Sequence, residues 1–310
     1  MSPRRVLLTG ATGFIGQRLQ KALLEAGFEL TALIRPSSRR SARLAPRCRR
    51  IEAELADSAK LEPLLPEFDA VIYAAGSVRG RGIEDFQAAN VDGVAGLVEL
   101  LNRAESEQPF LLVSSLAASR PELSDYAASK RAGEDALGES ARFPWTIFRP
   151  PAVYGPGDRE MRPILRMASR GLLARPGPAL QRLSLIHVDD LARAVLAWLE
   201  HWDACRGRSF TLDDGRPGGY DWESIGRAAG SRQPRILGIP RPLLGATARL
   251  NLLASRLLGY LPMLTPGKVR ELTQDDWLCD NSALSRATGW TPAIDLETGL
   301  RRLFNPGGSS

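Results

Sequence analysis

Histidine and cysteine are scarce: the chain holds two histidines and three cysteines in 310 residues. Cys48, Cys205 and Cys279 are odd in number and far apart. They support neither a disulfide framework nor a zinc site, so a reducing compartment fits and no metal is expected. A long uninterrupted apolar run is also lacking. The most apolar stretch, RPLLGATARLNLLASRLLGYLPML at residues 241–264, is broken by Arg249, Asn251, Arg256 and inner glycines, which suits a bilayer crossing poorly. The opening MSPRRVLLTG lacks the apolar core and small-residue cleavage site of a secretory signal, so a cytoplasmic location is expected. No repeat period appears, and low complexity is confined to a Gly/Ser tail at residues 307–310, expected to be disordered.

What remains has an ordinary globular make-up, 44% hydrophobic and 25% charged, and the length suits two domains. The net charge is +6, and much of the excess sits in RPSSRRSARLAPRCRR at residues 35–50, with seven arginines and no acid. Such a run favours anionic partners, a phosphate-bearing cofactor above all; the plain alternative is a solvated surface loop. No nucleic-acid motif accompanies it, so no nucleic-acid partner is expected.

RRVLLTG reads as a buried strand and FIGQRLQKALLEAG as an amphipathic helix, with GATGFIG between them. The spacing of Gly10, Gly13 and Gly16 lets the backbone turn tightly, approach a pyrophosphate and aim a helix N-terminus at negative charge. ELTALIR then supplies a second strand, and this strand–loop–helix–strand context makes the glycine signal a dinucleotide site. The second strand ends on Arg35, with Arg39 and Arg40 soon after, where an acid would favour NAD. An arginine there favours the 2′-phosphate of NADP over NAD.

Further buried strands are expected in DAVIYAAG, PFLLVSS and WTIFRP, with helices at 84–105 and 126–141. The right-handed crossover rule makes this an α/β, Rossmann-type, doubly wound parallel sheet over residues 1–150. Ligands then belong beyond the C-terminal strand ends, where Gly76, Ser114 and Ser115 fall. In SDYAASKRAGE, Tyr126 and Lys130 stand one helical turn apart on one face. A nearby ammonium is expected to lower the tyrosine pKa and fit it for proton transfer. Ser115 could bond the same substrate oxygen; as a cap or turn residue it competes with that reading, and Ser114 and Ser119 compete for the role.

The chain resembles the extended short-chain dehydrogenase/reductase superfamily in TGATGFIG, VIYAAG, NVDGVAGLVEL, VSSLAA, YAASK, RPPAVYGPGD, IHVDDLARAV and ATGWTP, in the family's order. The resemblance implies Tyr126 as acid/base, Lys130 on the nicotinamide ribose, Ser115 positioning the reacting oxygen and Asn90 supporting a proton relay. It implies further that Gly10, Thr12, Gly13, Phe14, Ile15 and Gly16 hold the pyrophosphate, with Ala74, Ala75 and Gly76 along the adenosine side and Pro150 among the cofactor contacts. Glu54 and Leu55 stand where the family has Asp-Leu beside the adenine. The gap between Ser115 and Tyr126 is short, without the polar insertion of many sugar-nucleotide members. His187, in IHVDDL, reads as a structural residue.

The pattern changes after residue 150. A smaller, mostly helical C-terminal substrate domain is expected over about 151–182 and 213–306, with about 183–212 returning to the large unit and the strand and helix of 183–200 rejoining its sheet. Leu243, Leu244, Leu250, Leu253, Leu257, Leu258 and Leu261 make 241–264 a leucine-rich helix. Three readings stand: packing on its own domain, a wall for an apolar substrate, or peripheral membrane contact. With LTPGKVRELTQDDW it loosely resembles 3β-hydroxysteroid and sterol-carboxylate dehydrogenases. The leading function is an NAD(P)-dependent oxidoreductase acting on a secondary alcohol or ketone of a small, sterol- or isoprenoid-like molecule. The alternatives are a nucleotide-sugar epimerase or dehydratase, and a non-catalytic NAD(P)-binding regulator or accessory subunit. A homodimer is left open.

Overall fold

Seven parallel strands build the central sheet: β1 (Arg5–Thr9), β2 (Glu29–Ile34), β3 (Arg49–Glu52), β4 (Ala70–Tyr73), β5 (Phe110–Val113), β6 (Trp145–Arg149) and β7 (Arg208–Thr211). The computed structural model describes residues 4–36, 41–55 and 57–304, so Arg39, Arg40 and the 307–310 tail lie outside the described residues. Across the sheet the order is β7-β6-β5-β4-β1-β2-β3. The order reverses between β1 and β4, which opens a crevice beyond their C-terminal ends.

The inner strands are continuous apolar runs because both faces are covered. Val6 and Leu8 enter one core with Leu19 and Leu23 of α1 (Phe14–Glu25). Leu7, between them, enters the other core with Leu97 and Leu101 of α2 (Gly93–Arg103) and Leu137 of α3 (Asp125–Ser140). Each fully buried leucine contributes about 1.5–3 kcal/mol. The helix expected over 84–105 is interrupted by a π-turn at Ala88–Asp92.

Three expectations are corrected. Part of the arginine run is sheet edge, not loop: Arg49 and Arg50 lie in β3, paired with Glu67 at 2.6 Å and Glu52 at 3.3 Å. The strand Leu185–His187 pairs with Ala152–Tyr154 and not with the central sheet; β7 is the strand that returns, beside β6. Only α4 (Val188–His201) packs back, placing Leu191 and Trp198 in the core with α1. The segment 213–306 is not one unit either. Tyr220, Trp222, Leu296 and Leu300 share a separate C-terminal core, whereas Leu284 and Trp290 pack into the core of the large sheet.

The leucine-rich helix, α5 (Arg241–Leu258), does not bury its leucines in its own domain. Of the seven leucines, only Leu244 is buried; Leu257 and Leu258 are 78% and 77% exposed. The helix has two apolar faces, and packing covers only the one with Leu244 and Ala248. Among the described residues no helix is long and apolar enough to cross a membrane.

Candidate active site

At two positions the turn after β1 has no room for a side chain. Gly10 takes φ +69°, and a Cβ there would lie 2.4 Å from the Ala74 carbonyl oxygen. A Cβ on Gly16 would lie 2.1 Å from the Gly10 carbonyl oxygen. Gly13 donates its N–H to that same carbonyl at 2.9 Å and begins α1 with no capping side chain and no acid in the first turn. The first-turn amides are thus left to an anion from outside the helix. Thr12, Phe14 and Ile15 are half-buried along this turn, with Ile15 packed on the core below.

The other dinucleotide candidates gather at the same edge. Ala75 donates its N–H to Thr9 Oγ1 at 3.2 Å, tying the end of β4 to β1, and Gly76 is exposed just beyond. Arg35 is exposed at the end of β2, as is Glu54 after β3. Leu55 packs against the second core and so offers at most one edge to an adenine. Pro150 is buried after β6, its carbonyl accepting the Leu116 N–H at 2.8 Å. A cradle that a Cβ would fill, facing an uncapped helix N-terminus, fits a dinucleotide pyrophosphate.

α3 brings the second set together. It starts at Ser124, whose Oγ accepts the Ala127 N–H at 3.0 Å and donates to Glu271. One turn of α3 then carries Tyr126 and Lys130. Ser115 follows β5 and does two things: its Oγ accepts the Ala117 N–H at 3.2 Å, as a cap would, and its hydroxyl stands close enough to the Tyr126 phenol to favour the phenolate. Ser114 is buried without a partner for its hydroxyl, and Ser119 donates to the Leu116 carbonyl at 2.7 Å. Ser115 is therefore the serine that faces the phenol.

The electrostatics differ from expectation. Burial pushes Tyr126 up to about 12; Ser115 pulls the other way, and Glu271 adds to the rise. Lys130 does not supply the lowering. Its Nζ donates to the Val113 carbonyl at 3.0 Å, and burial brings it down to about 8, with Glu134 opposing. Helical spacing puts the two side chains near each other, but desolvation dominates both.

Asn90 sits in the π-turn with both ends of its amide engaged. Nδ2 donates to the Ser77 carbonyl at 3.1 Å and to Ser129 Oγ at 2.9 Å, while Oδ1 accepts the Ser77 N–H at 3.0 Å. It braces the loop after β4 against α3. No hydrogen bond to Tyr126 or Lys130 is found among the described residues, so the geometry favours bracing over a proton relay. His187 is buried, its Nδ1 accepts the Asp189 N–H at 3.2 Å and so caps α4, and burial lowers its pKa against the pull of Asp189 and Asp190. Among the described residues no cluster of histidine, cysteine or carboxylates could hold a metal.

A cavity of about 180 Å³ opens beside Tyr126, with Phe86, Leu252, Pro262 and Met263 in its walls and Arg81, Asp125 and Arg270 among its polar lining. Phe86 meets the tyrosine ring edge-on, centroids 5.9 Å apart. At the polar end, Lys268 Nζ lies 5.8 Å from the Tyr126 ring centroid and donates to Glu271 Oε2 at 2.6 Å. The meeting of Ser124 with the Lys268–Glu271 pair was not foreseeable from local sequence, because it spans 147 residues of chain. From 241–264, Leu252 lines the cavity, whereas Leu253 and Leu257 point into solvent.

A glycine cradle at the sheet's switch point, with a Ser–Tyr–Lys set at its edge, defines a Rossmann enzyme with a nicotinamide cofactor. A model of the NAD dependent epimerase/dehydratase family matches residues 6–212, and the chain belongs to that family. It is 33% identical over 309 residues to the ceramide reductase of Caulobacter vibrioides, across 94% of this chain and 93% of that protein. To the 2-alkyl-3-oxoalkanoate reductase of Stenotrophomonas maltophilia it is 26% identical over 329 residues, across 96% and 98%. In fold it is similar to UDP-glucuronic acid 4-epimerase from Bacillus cereus, solved with UDP-glucuronic acid and NAD: TM-score 0.71, 20% identity, 97% and 98% covered. The chain is an NAD(P)-dependent enzyme of the extended short-chain dehydrogenase/reductase type.

Proposed function

We propose that the chain is an NADPH-dependent reductase of a ketone on a long-chain apolar substrate of the ceramide class. The observation that carries this is the cavity beside Tyr126, which sets the phenol next to an apolar wall of Phe86, Leu252, Pro262 and Met263. A bound nicotinamide supplies the hydride. Tyr126 donates its proton to the carbonyl oxygen, and a group pushed up to about 12 is fully protonated at neutral pH, as a donor in reduction must be. Ser115 bonds the same oxygen and orients it against the phenol. Lys130, in its ammonium form below about 8, holds the ribose hydroxyls. The glycine cradle and the first turn of α1 hold the pyrophosphate.

Two relatives that match this chain along nearly its whole length are named as reductases, one of ceramide and one of an alkyl-substituted oxoalkanoate. Their names narrow the apolar-substrate reading toward an open-chain lipid. Replacing Leu252 by Asp is expected to raise KM for a long-chain ketone about tenfold or more, the effect of one buried leucine, with NADPH affinity unchanged. Steady-state kinetics would reject the apolar wall if KM stayed put. The three free cysteines accord with a cytoplasmic site of action.

NADP is favoured by the Arg35 guanidinium at the tip of β2 and by the absence of acids from residues 35–50. NADPH is expected to bind at least about tenfold more tightly than NADH, the worth of one charge-assisted bond, and Arg35→Asp to reverse the order. Calorimetric titration of both cofactors checks this; tighter NADH binding by the unaltered protein would sink the role given to Arg35.

A further inference from the structure

We propose that the exposed face of α5 seats the protein on an anionic bilayer surface. The inference stands independently of the ketone named above, since it rests on a face outside the cavity. Leu243, Leu250, Leu253 and Leu257 recur at steps of seven, three and four, so they form a single stripe along the helix. They are 60%, 67%, 55% and 78% exposed. The stripe continues past the helix end in Tyr260 and Leu261, both exposed. From Leu243 to Leu257 the stripe runs about 21 Å along the helix, too long an apolar ridge to be incidental surface.

The charges beside the ridge select its partner. From Arg235 to Arg270 the chain has six basic residues and no acid. Arg249 and Arg256, seven apart and both exposed, flank the stripe on one side. Leucines at the acyl boundary with arginines reaching back to lipid phosphates is the arrangement of a helix lying in an interface. A second copy would set arginines against arginines with no acid to offset them, so helix pairing is the poorer fit. The same segment turns Leu252, Pro262 and Met263 inward to the cavity beside Tyr126. Docking through the outer stripe therefore sets a wall of the cavity, through the inner face of the same helix, close to the lipid surface.

Co-sedimentation of the full chain with vesicles tests this, using phosphatidylcholine alone and phosphatidylcholine mixed with phosphatidylglycerol. Binding is expected to the mixed vesicles and to weaken with salt. Arg249→Gln with Arg256→Gln should reduce it about twenty-five-fold, roughly a factor of five for each charge removed. Leu250→Glu with Leu257→Glu should abolish it while leaving the melting temperature unchanged, because both positions are exposed. If the leucine pair were unstable, the arginine pair would still decide the matter. Protein that stays in solution with both vesicle types, or binds both equally, would overturn the proposal. So would a dimer in analytical ultracentrifugation that the leucine pair dissociates, which would assign the stripe to a second copy.

Discussion

Tyr126→Phe is expected to lower kcat for ketone reduction by about three orders of magnitude, within the range for losing a positioned proton donor. NADPH affinity should be unchanged. The tyrosine lines the cavity near Ser115, whereas the pyrophosphate cradle lies on the turn after β1. Phenylalanine keeps the edge-on contact with Phe86, so the fold is expected to survive. Lys130→Met should damage both quantities, because this ammonium is assigned to the ribose and its bond to Val113 fixes the turn of α3 that carries Tyr126. The separation of the two variants is the informative part. A Tyr126→Phe protein with full turnover would make the tyrosine mere helix surface.

Gly16→Ala is expected to weaken NADPH binding by about two orders of magnitude, equivalent to losing two charge-assisted bonds to the pyrophosphate. The new Cβ would fall 2.1 Å from the Gly10 carbonyl oxygen and 2.8 Å from Ala11 Cα. Neither is a flexible side-chain end, so α1 must move away from β1 and its first-turn amides lose their aim. Overpacking of this kind also costs about 1–3 kcal/mol of stability. Calorimetry and thermal unfolding on the same preparation separate the two effects. Normal NADPH affinity in a folded Gly16→Ala protein would remove the pyrophosphate from this turn.

Legibility in the sequence followed the range of the interaction. The glycine turn could be read because it is local: three glycines, a strand before and a helix after. The inner strands could be read because burial on both faces leaves continuous apolar runs such as FLLV and AVIY. β3 and β7 could not, since RRIE and RSFT are edge strands with one buried residue each. The Tyr126–Lys130 spacing was visible, but not the desolvation that raises one group and lowers the other. Ser124 joins the local Lys268–Glu271 pair through the tertiary fold alone. The leucine helix shows the limit most clearly, because amphipathic spacing does not tell which of two apolar faces the rest of the protein will cover.

Incubation of the purified protein with NADPH and a long-chain ketone bearing an amide, with product analysis beside the absorbance trace, tests the assigned reaction most directly. Loss of NADPH equal to the alcohol formed is the predicted result, with UDP-glucose and UDP-glucuronic acid left unchanged. Interconversion of either sugar nucleotide with its epimer, without net change in NADPH and with no turnover of the ketone, would contradict it.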